Sequence, residues 1–339
     1  MPSKNETGRT ALLILNYNNV EDTMECVRSV RRWNTAPVAF VLVDNGSTRP
    51  DAVEKLDTFL AGEFGPGYRR VSDTDRPAAS AEDAGTFRLP DALLIASPTN
   101  DGYARGNNKA LPWIEADASI SRVMVLNNDI LFTEDILPRL IAQADCRRDC
   151  AVICPALKKP DSDEFDHNCA RRRVKVGQLI ANNFFHYLYR LTGRTDEDAM
   201  RSRYILLDHK DEVARGEVIE IELPSGSCML MDKALFCGMG GFDPHTFLYY
   251  EEDILHKRFE ERGLRCYVDT SLSCIHIGAA TTDKSPGEFL IRCNREAQRY
   301  WVCHYSGASA PIRWLHGVSL RFHAFTASLQ KRLGVKMRR

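Results

Sequence analysis

The sequence has no apolar run long enough to cross a bilayer and no apolar signal core near its start. Residues 1–10 are polar, and no later run approaches the roughly 18 residues that a membrane-spanning helix needs. The net charge is only -1, so nothing draws the whole chain towards nucleic acid. We therefore expect a cytoplasmic protein without a nucleic-acid partner, which could at most lie peripherally on the inner face of the membrane.

The cysteines lack the spacing of a disulfide framework. The chain has 11 of them, an odd and scattered set that is typical of reduced thiols. Cys146, Cys150 and Cys154 fall at four-residue steps, but no fourth ligand stands at usual spacing, which disfavours zinc. A G-x-G-x-x-G motif after the first predicted strand is also missing, which disfavours a NAD-binding enzyme.

Apolar runs alternate with helix-like segments through the first half of the chain. With 339 residues, 44% of them hydrophobic, the chain can form one large domain or two closely joined ones. The order of segments predicts an α/β fold with a doubly wound, mostly parallel sheet. Residues 62–90 are rich in Gly, Pro, Asp and Ala and are predicted to be irregular. The predicted strands are 11–15, 38–43, 92–96 and 123–126, and helices are predicted at 21–33 and 51–60.

Polar side chains follow three of these strands. The first runs into Asn16, the second into Asp44 and Asn45, and the fourth into Asn128 and Asp129. Because ligands gather at the carboxyl ends of strands in an open α/β sheet, these side chains are candidates for one site. Asp129 could hold a divalent cation and, through it, phosphate oxygens. The alternative is a plain Asn/Asp turn after a strand.

Residues 100–108 are predicted to form a mobile loop before a helix that begins at Lys109. Such a loop at a helix N-terminus favours phosphate or sugar hydroxyls, and a plain turn would not explain the density of side-chain donors. Its candidate residues are Gly102, Arg105, Asn107 and Asn108.

A second candidate cluster follows the aromatic stretch 247–250. Glu251, Glu252 and Asp253 begin a predicted helix, where three acids would suit the helix dipole. The aromatic wall could instead raise the pKa of one acid into a catalytically useful range. His276 ends a later apolar segment, and a lone histidine is usually structural, although a role as a metal ligand is open here.

Two later segments differ in character. Residues 158–215 are rich in charge and contain an aromatic stretch, 176–191, predicted as a core helix, with a lip for an acceptor or membrane as the alternative. The 43 residues after Glu296 contain eight Lys or Arg and no Asp or Glu. Apolar residues from Leu315 to Leu333 follow helical spacing. This basic amphipathic helix could lie on an anionic membrane surface, or dock on the catalytic domain or on a second subunit of a homodimer.

Taken in order, these motifs resemble glycosyltransferase family two, the inverting nucleotide-sugar transferases with a GT-A fold. They look closest to its rhamnosyltransferase-like bacterial members, which build polysaccharides and other glycans. The resemblance covers residues 10–285, with 62–90 and 158–215 as poorly matching inserts. The segments that carry it are 13–18, 43–48, 102–108, 126–129, 225–230, 250–253 and 276–278.

The resemblance implies a division of the chain. The Rossmann-like half that binds the nucleotide sugar is residues 10–130. The acceptor and catalytic half is 131–285, with the helical insert 158–215. A basic helical extension, 286–339, completes the chain.

The resemblance also implies roles for the candidate residues. Asp44 takes the position that contacts the uracil or ribose of the donor, with Asn16 and Asn45 beside it. Asp129 matches the last acid of the motif that binds Mg²⁺ or Mn²⁺, preceded here by Asn128, and His276 can complete the metal site. The match to the loop for the donor sugar and phosphates consists of Gly102, Arg105, Asn107 and Asn108.

The implied reaction is one direct displacement. A hydroxyl of a glycan or lipid-linked acceptor attacks the anomeric carbon of a UDP- or dTDP-linked hexose or deoxyhexose, in the synthesis of cell-surface polysaccharide. A carboxylate removes the hydroxyl proton, and the metal stabilises the departing diphosphate. The acidic motif places the base at Glu252, with Glu251 and Asp253 as its neighbours by one position.

Other functions compete with this one. Among enzymes they are hydrolysis of the donor and nucleotidyl transfer, although the turn after the first strand lacks the Gly-rich, lysine-containing loop of nucleotidyl transferases. Outside catalysis, the neutral Asn127 and Asn128 favour a degenerate module that only binds nucleotide sugars. The presence of Asp129, Glu252 and His276 opposes that alternative.

Overall fold

A computed structural model of the chain describes residues 8–77, 87–191, 201–278 and 287–332, with the backbone alone for 186–191 and 330–332. Its strands are β1 (Arg9–Asn16), β2 (Val38–Asn45), β3 (Tyr68–Ser72), β4 (Ala92–Ser97), β5 (Ile120–Asn127), β6 (Ile130–Phe132), β7 (Cys150–Lys158), β8 (Ala170–Arg171), β9 (Val218–Ile221), β10 (Leu223–Pro224), β11 (Cys228–Asp232) and β12 (Arg265–His276). Its helices are α1 (Val20–Trp33), α2 (Ala52–Phe64), α3 (Gly102–Asn108), α4 (Leu111–Ala116), α5 (Leu137–Asp145), α6 (Val176–Leu191), α7 (Lys210–Ala214), α8 (Lys233–Gly238), α9 (Glu251–Glu260), α10 (Gly287–His304) and α11 (Ala310–Arg332).

One central sheet organises the described residues. Its order is β3-β4-β2-β1-β5-β11-β7-β12-β6, and β9 pairs with β12 outside this path. The five strands from β3 to β5 are parallel to one another, whereas β11 is antiparallel to both β5 and β7. The predicted α/β fold with a mostly parallel sheet and C-terminal helices is confirmed.

The carboxyl edge of the sheet holds the candidate site. From β1 the chain adds β2 and β4 on one side and then returns to place β5 on the other, so the strand order reverses between β1 and β5. Ligands bind at such a reversal in open α/β sheets. The register sets Asn16 opposite Asp44 and Leu15 opposite Asn127, so the polar strand ends lie at one level.

The segment 62–90 is not irregular throughout, which corrects the sequence-based prediction. Helix α2 continues to Phe64, and β3 then pairs in parallel with β4 at the edge of the sheet. An edge strand needs few apolar residues, and in β3 only Val71 is buried while Arg69 and Arg70 are exposed. The strand therefore has no apolar run to reveal it.

The segment predicted as a mobile loop before Lys109 is instead helix α3, which is a second correction. Gly102 has a positive φ of 85°, and the next residue, Tyr103, donates its N–H to the carbonyl of Phe247 at 2.8 Å. A Cβ on Gly102 would lie 2.3 Å from that same carbonyl oxygen. The close approach of residue 247 thus requires glycine and starts the helix there.

The two C-terminal helices pack on the rest of the protein. Helix α10 buries Trp301 and Val302, and Asp243 accepts hydrogen bonds from Tyr300, at 3.1 Å, and from Tyr305. Helix α11 packs along α6. Docking on the catalytic body was one of the predicted alternatives for this tail. Leu333 and residues 334–339 lie outside the described residues, as do the side chains of Tyr187, Leu188 and Leu191 in α6.

Candidate active site

A chain of buried hydrogen bonds joins the ends of β1 and β2 to the turn after β5. Asn16 donates to Asp44 at 2.6 Å and accepts from the hydroxyl of Thr23 at 2.9 Å. Asn128 donates to the same Thr23 hydroxyl at 2.9 Å. Ser47 donates its hydroxyl to Asp44 at 2.7 Å. All of these residues except Ser47 are buried, so the strand ends form a rigid floor with few free donors.

Asp129 and His276 meet at the end of this floor. His276 Nε2 lies 3.6 Å from Asp129 Oδ2, and His276 Nδ1 lies 3.5 Å from Asp166 Oδ2. Burial alone would lower the pKa of His276, but the hydrogen bond to Asp166 and the charge of Asp129 raise it overall. Burial raises the pKa of Asp129, and His276 opposes that effect.

These residues suit a small divalent cation. Asp129 Oδ1 is buried and has no hydrogen-bond partner, so this carboxylate oxygen is available to coordinate a cation. Among the described residues no group of three or more His, Cys, Asp or Glu side chains is arranged to hold a metal. Mg²⁺ is usually held by one or two carboxylates together with water and substrate phosphates, so a site of this size is sufficient.

The segment from Ser225 to Ser227 connects the two candidate centres. Ser227 Oγ lies 3.4 Å from His276 Nε2, and its carbonyl accepts from the backbone N–H of Asn127 at 2.8 Å. One residue earlier, the N–H of Gly226 donates to Glu252 Oε1 at 3.0 Å. A Cβ on residue 226 would lie 2.6 Å from that oxygen, so only glycine permits this approach.

The three acids at the start of α9 have different surroundings. Glu251 is buried, and burial together with the charge of Glu252 raises its pKa to about 8. Asp253 has a pKa raised to about 6 by burial and Glu252, against the opposing charges of Arg171 and Arg203. Glu252 is half-buried and faces Gly226. Burial thus favours the protonated form of Glu251, whereas Glu252 is held by a donor from the loop beside Asp129.

Two consecutive tyrosines in the left-handed region precede these acids. Tyr249 and Tyr250 have φ of 78° and 68°, which costs on the order of 1–3 kcal/mol for each non-glycine residue. Helix α10 supports this turn, because Gln298 donates to the Tyr250 hydroxyl at 3.1 Å and Trp301 packs against its ring. The C-terminal helices thus help to fix the position of the acids.

The candidate residues on α3 are engaged within the protein. The Asn108 amide donates to the carbonyl of Phe242 at 2.7 Å and its oxygen accepts from the N–H of Phe242 at 3.0 Å. The Asn107 amide donates back to the Tyr103 carbonyl, and Arg105 donates to the carbonyl of Pro244. Asn45 similarly donates to the carbonyl of Gly102. Arg105 and Asn108 line a hollow of about 270 Å³.

Four further residues complete the arrangement and were not singled out from the sequence. Thr23 links Asn16 to Asn128, Asp166 supports His276, and Ser227 contacts the same histidine. Tyr103 donates its hydroxyl to the Gly226 carbonyl at 2.9 Å, and burial with the charges of Glu252, Glu251 and Asp129 raises its pKa. Ser227 and Tyr103 lie in the motif segments 225–230 and 102–108, which gave a signal, whereas Thr23 and Asp166 sit in ordinary helix and loop sequence.

The fold and this edge of the sheet are those of a GT-A glycosyltransferase. Residues 12–206, more than half of the chain, match the model of Glycosyl transferase family 2. The chain belongs to that family and is a glycosyltransferase, which favours catalysis over a degenerate binding module.

A sequence relative is similar to the chain over most of its length, and solved structures share its fold. The chain is 22% identical over 311 residues to N-acetylglucosaminyl-diphospho-decaprenol L-rhamnosyltransferase from two strains of Mycobacterium tuberculosis, covering 87% of this chain and 86% of the relative. A mannosyltransferase from Pyrobaculum calidifontis, solved with GDP-Man and Mn²⁺, has a TM-score of 0.53 at 13% identity, covering 98% of this chain and 77% of its own. GalNAc-T7, solved with UDP, GalNAc and Mn²⁺, has a TM-score of 0.56 at 10% identity, covering 98% and 59%.

Across the described ranges, no helix combines the length and the apolar character that crossing a bilayer requires.

Proposed function

We propose that the protein is an inverting, metal-assisted glycosyltransferase that moves a hexose or deoxyhexose from a nucleoside-diphosphate sugar to a lipid-linked or glycan acceptor. The observation that carries this proposal is the placement of Asp129 and Glu252 around one short segment, Ser225–Ser227. The rhamnosyltransferase relative, named for a diphospho-decaprenol acceptor, supports a deoxyhexose donor and a lipid-linked acceptor in cell-surface glycan synthesis.

Glu252 is the general base in this proposal. A base must be ionised and must reach the acceptor hydroxyl as the new bond forms. Glu251 is buried, which raises its pKa and favours its protonated form, and Asp253 interacts with the arginines Arg171 and Arg203. Glu252 alone of the three is oriented by the Gly226 N–H towards the segment that touches His276.

Asp129 and His276 would hold Mg²⁺ or Mn²⁺, since Asp129 offers a buried oxygen without a partner. When bound, such a cation neutralises charge that builds on the departing diphosphate. Asp166 keeps the ring of His276 in place through Nδ1 and leaves Nε2 directed at Asp129. Orientation of a metal-binding histidine by a second carboxylate is a common arrangement.

The strand ends would form the nucleotide side of the donor site. Asp44 has no exposed surface and its two oxygens accept from Asn16 and Ser47. It therefore holds Asn16 and the 44–47 turn in place, and it would contact a UDP or dTDP donor only by exchanging one of these hydrogen bonds. Asn45 acts similarly by tying the turn to Gly102. The hollow lined by Arg105 and Asn108 would receive the part of the nucleotide-sugar donor that extends past α3.

The test begins by finding the donor. A panel of nucleotide sugars with Mn²⁺ is scored by thermal shift, since a bound donor raises apparent stability. We expect Glu252→Gln to lower transfer about a hundredfold or more, the effect of losing a general base, while the donor shift stays as in the wild type. Asp129→Asn should instead remove the Mn²⁺-dependent part of the shift.

Glu261→Gln is the matched control for the base. Glu261 is an exposed acid just after the end of α9, so its loss should leave both transfer and donor binding unchanged. Equal loss of donor binding and transfer in Glu252→Gln would contradict its assignment as the base. Release of nucleoside diphosphate at the same rate with and without acceptor would instead identify a hydrolase.

We also propose that α11 lies on an anionic membrane surface, where a lipid-linked acceptor would be found. Trp314 is 70% exposed and Phe325 is 66% exposed, with Leu329 and Phe322 on the same helix also exposed. The chain after Glu296 is basic throughout, with no acid. A basic helix with exposed aromatic residues binds anionic lipid through both kinds of contact.

Sedimentation with vesicles tests this contact. The wild type should bind vesicles that contain phosphatidylglycerol and bind less to phosphatidylcholine alone or in high salt. The double variant Trp314→Ser, Phe325→Ser should lower the bound fraction roughly threefold or more because it removes two exposed aromatic anchors. Trp33→Ser, at an exposed tryptophan on α1, is the control. Unchanged vesicle binding in the double variant would contradict the membrane contact of α11. A change in oligomeric state instead would assign the exposed face of α11 to a contact between subunits.

A further inference from the structure

A cavity of about 300 Å³ lies between α6, α10 and α11, beside the turn that precedes the acids. Tyr249, two residues before Glu251, forms part of its wall, and so does Gln298, which holds the Tyr250 hydroxyl. The cavity is thus next to the proposed base without being part of the floor that holds Asp129.

A fixed polar network forms one wall of the cavity. Asn183 on α6 donates to Gln298 at 3.0 Å and to Ser319 on α11 at 3.1 Å. His316 on α11 lies 2.9 Å from the same oxygen of Gln298. These four residues are buried, so the three helices are joined by polar contacts as well as by apolar packing. The cavity is therefore a preformed feature of the fold.

Arg295 gives the cavity a positive charge without a matching acid. Its Nε lies 3.2 Å from His323 Nδ1, and its Nη2 is buried with no hydrogen-bond partner. Burial lowers the pKa of Arg295, and within the described ranges no carboxylate acts on it. An arginine remains charged under such conditions, and its planar N–H groups match phosphate oxygens. The side chain is half-buried, and its Nη2 group remains available to donate to an anion in the cavity.

Part of the cavity lining is apolar. Leu290, Ile291 and Leu320 line the cavity, and Ile291 is 41% exposed, so apolar surface continues outward from it. A ligand with a phosphate at one end and hydrocarbon at the other would satisfy both kinds of wall. Inorganic phosphate would satisfy only the arginine.

We infer that this cavity binds the phosphate group of a lipid-linked acceptor through Arg295 and receives the start of its hydrocarbon chain on Leu290, Ile291 and Leu320. This inference rests on the proposed function, because it assigns the acceptor side of the same reaction. It makes the C-terminal helices part of the substrate site and places the sugar that the lipid carries on the side of Tyr249 and the acids.

The test measures binding of geranyl diphosphate, a short prenyl diphosphate, by calorimetry. EDTA is present so that no metal can bridge the diphosphate at Asp129. Arg295→Gln should weaken binding roughly tenfold or more, as expected for one charge-assisted contact, and Arg295→Lys should restore part of it. Arg292→Gln removes a charge from the same helix outside the cavity and should change the affinity less than twofold.

A second variant keeps the test independent of the folding of Arg295 variants. Asn294 is an exposed residue at the rim, so Asn294→Trp should close the cavity without disturbing the core, and binding should be lost. Undetectable binding of geranyl diphosphate to the wild type, or equal affinity in wild type and Arg295→Gln, would overturn the inference. Equal affinity for inorganic pyrophosphate would also overturn it, by assigning the site to a free diphosphate.

Transfer assays separate this inference from the proposed function. Arg295→Gln should raise the KM for a prenyl-diphosphate-linked acceptor at least as much as it weakens binding, with the donor KM unchanged. Glu252→Gln should abolish transfer and leave the binding of geranyl diphosphate unchanged. An unchanged acceptor KM in Arg295→Gln, alone, would overturn the acceptor site. Retained transfer in Glu252→Gln, alone, would overturn the assignment of the base.

Discussion

The Gly226–Glu252 contact allows the position of the proposed base to be perturbed without changing its chemistry. In Gly226→Ala the new Cβ would lie 2.6 Å from Glu252 Oε1, whereas ordinary contact begins at 3.4 Å, so the carboxylate must retreat by about 0.8 Å. That movement breaks the 3.0 Å hydrogen bond from the residue 226 N–H. A misplacement of about 1 Å at a reacting group lowers the rate on the order of a hundredfold.

We therefore expect Gly226→Ala to lower kcat about a hundredfold while the donor thermal shift and the donor KM stay close to wild type. Loss of one hydrogen bond to a charged group should cost about 1.5–3 kcal/mol of unfolding free energy, which urea unfolding will measure. Gly238→Ala is the matched control, since its Cβ would meet nothing within 4 Å. A kcat within threefold of wild type in Gly226→Ala would refute the assignment of Glu252.

Two further predictions concern buried polar groups. The pKa of Glu251 is about 8 in the folded protein, against an ordinary value of 4.5. Between these two values the folded state binds more protons than the unfolded state. The free energy of unfolding therefore falls as pH rises through this window, by up to about 1.4 kcal/mol for each pH unit. Glu251→Gln should flatten the fall in Tm between pH 5 and 8, and parallel curves for the two proteins would contradict the burial argument. Thr23→Val should cost about 2 kcal/mol, because buried groups of Asn16 and Asn128 lose their shared hydroxyl, and Thr23→Ser should restore most of it. Urea unfolding measures that cost, and an unchanged midpoint in Thr23→Val would show that the network adds nothing.

Much of the fold was predictable because it depends on local pattern. Continuous apolar runs at β1, β2, β4 and β5 predict buried parallel strands, and polar residues that follow such strands must meet at one edge of the sheet. This reasoning predicts Asn16, Asp44 and Asp129 at one edge, and the register sets Asn16 opposite Asp44 and Leu15 opposite Asn127, two residues before Asp129. The roles of these residues in binding stay predictions.

The sequence-based predictions of secondary structure are wrong where one segment depends on another that is remote in sequence. Residues 102–108 form a helix because the carbonyl of Phe247, more than a hundred residues later, approaches Gly102 and accepts from Tyr103. Strand β3 exists because β4 offers it a pairing edge. No residue pattern within 102–108 or within β3 indicates the remote segment that each one contacts.

Strand length and apolar periodicity are local properties of the chain, so the α/β sheet and the carboxyl edge at which the candidate side chains gather follow from the sequence. The family follows from the resemblance of the ordered motifs. Only in the folded structure does burial raise the pKa of Glu251, does Asp166 support His276, and do the C-terminal helices support the Tyr249–Tyr250 turn. Burial and charge at one side chain are set by elements packed around it from distant parts of the chain, and a pKa or a hydrogen-bond partner exists only once those elements have met.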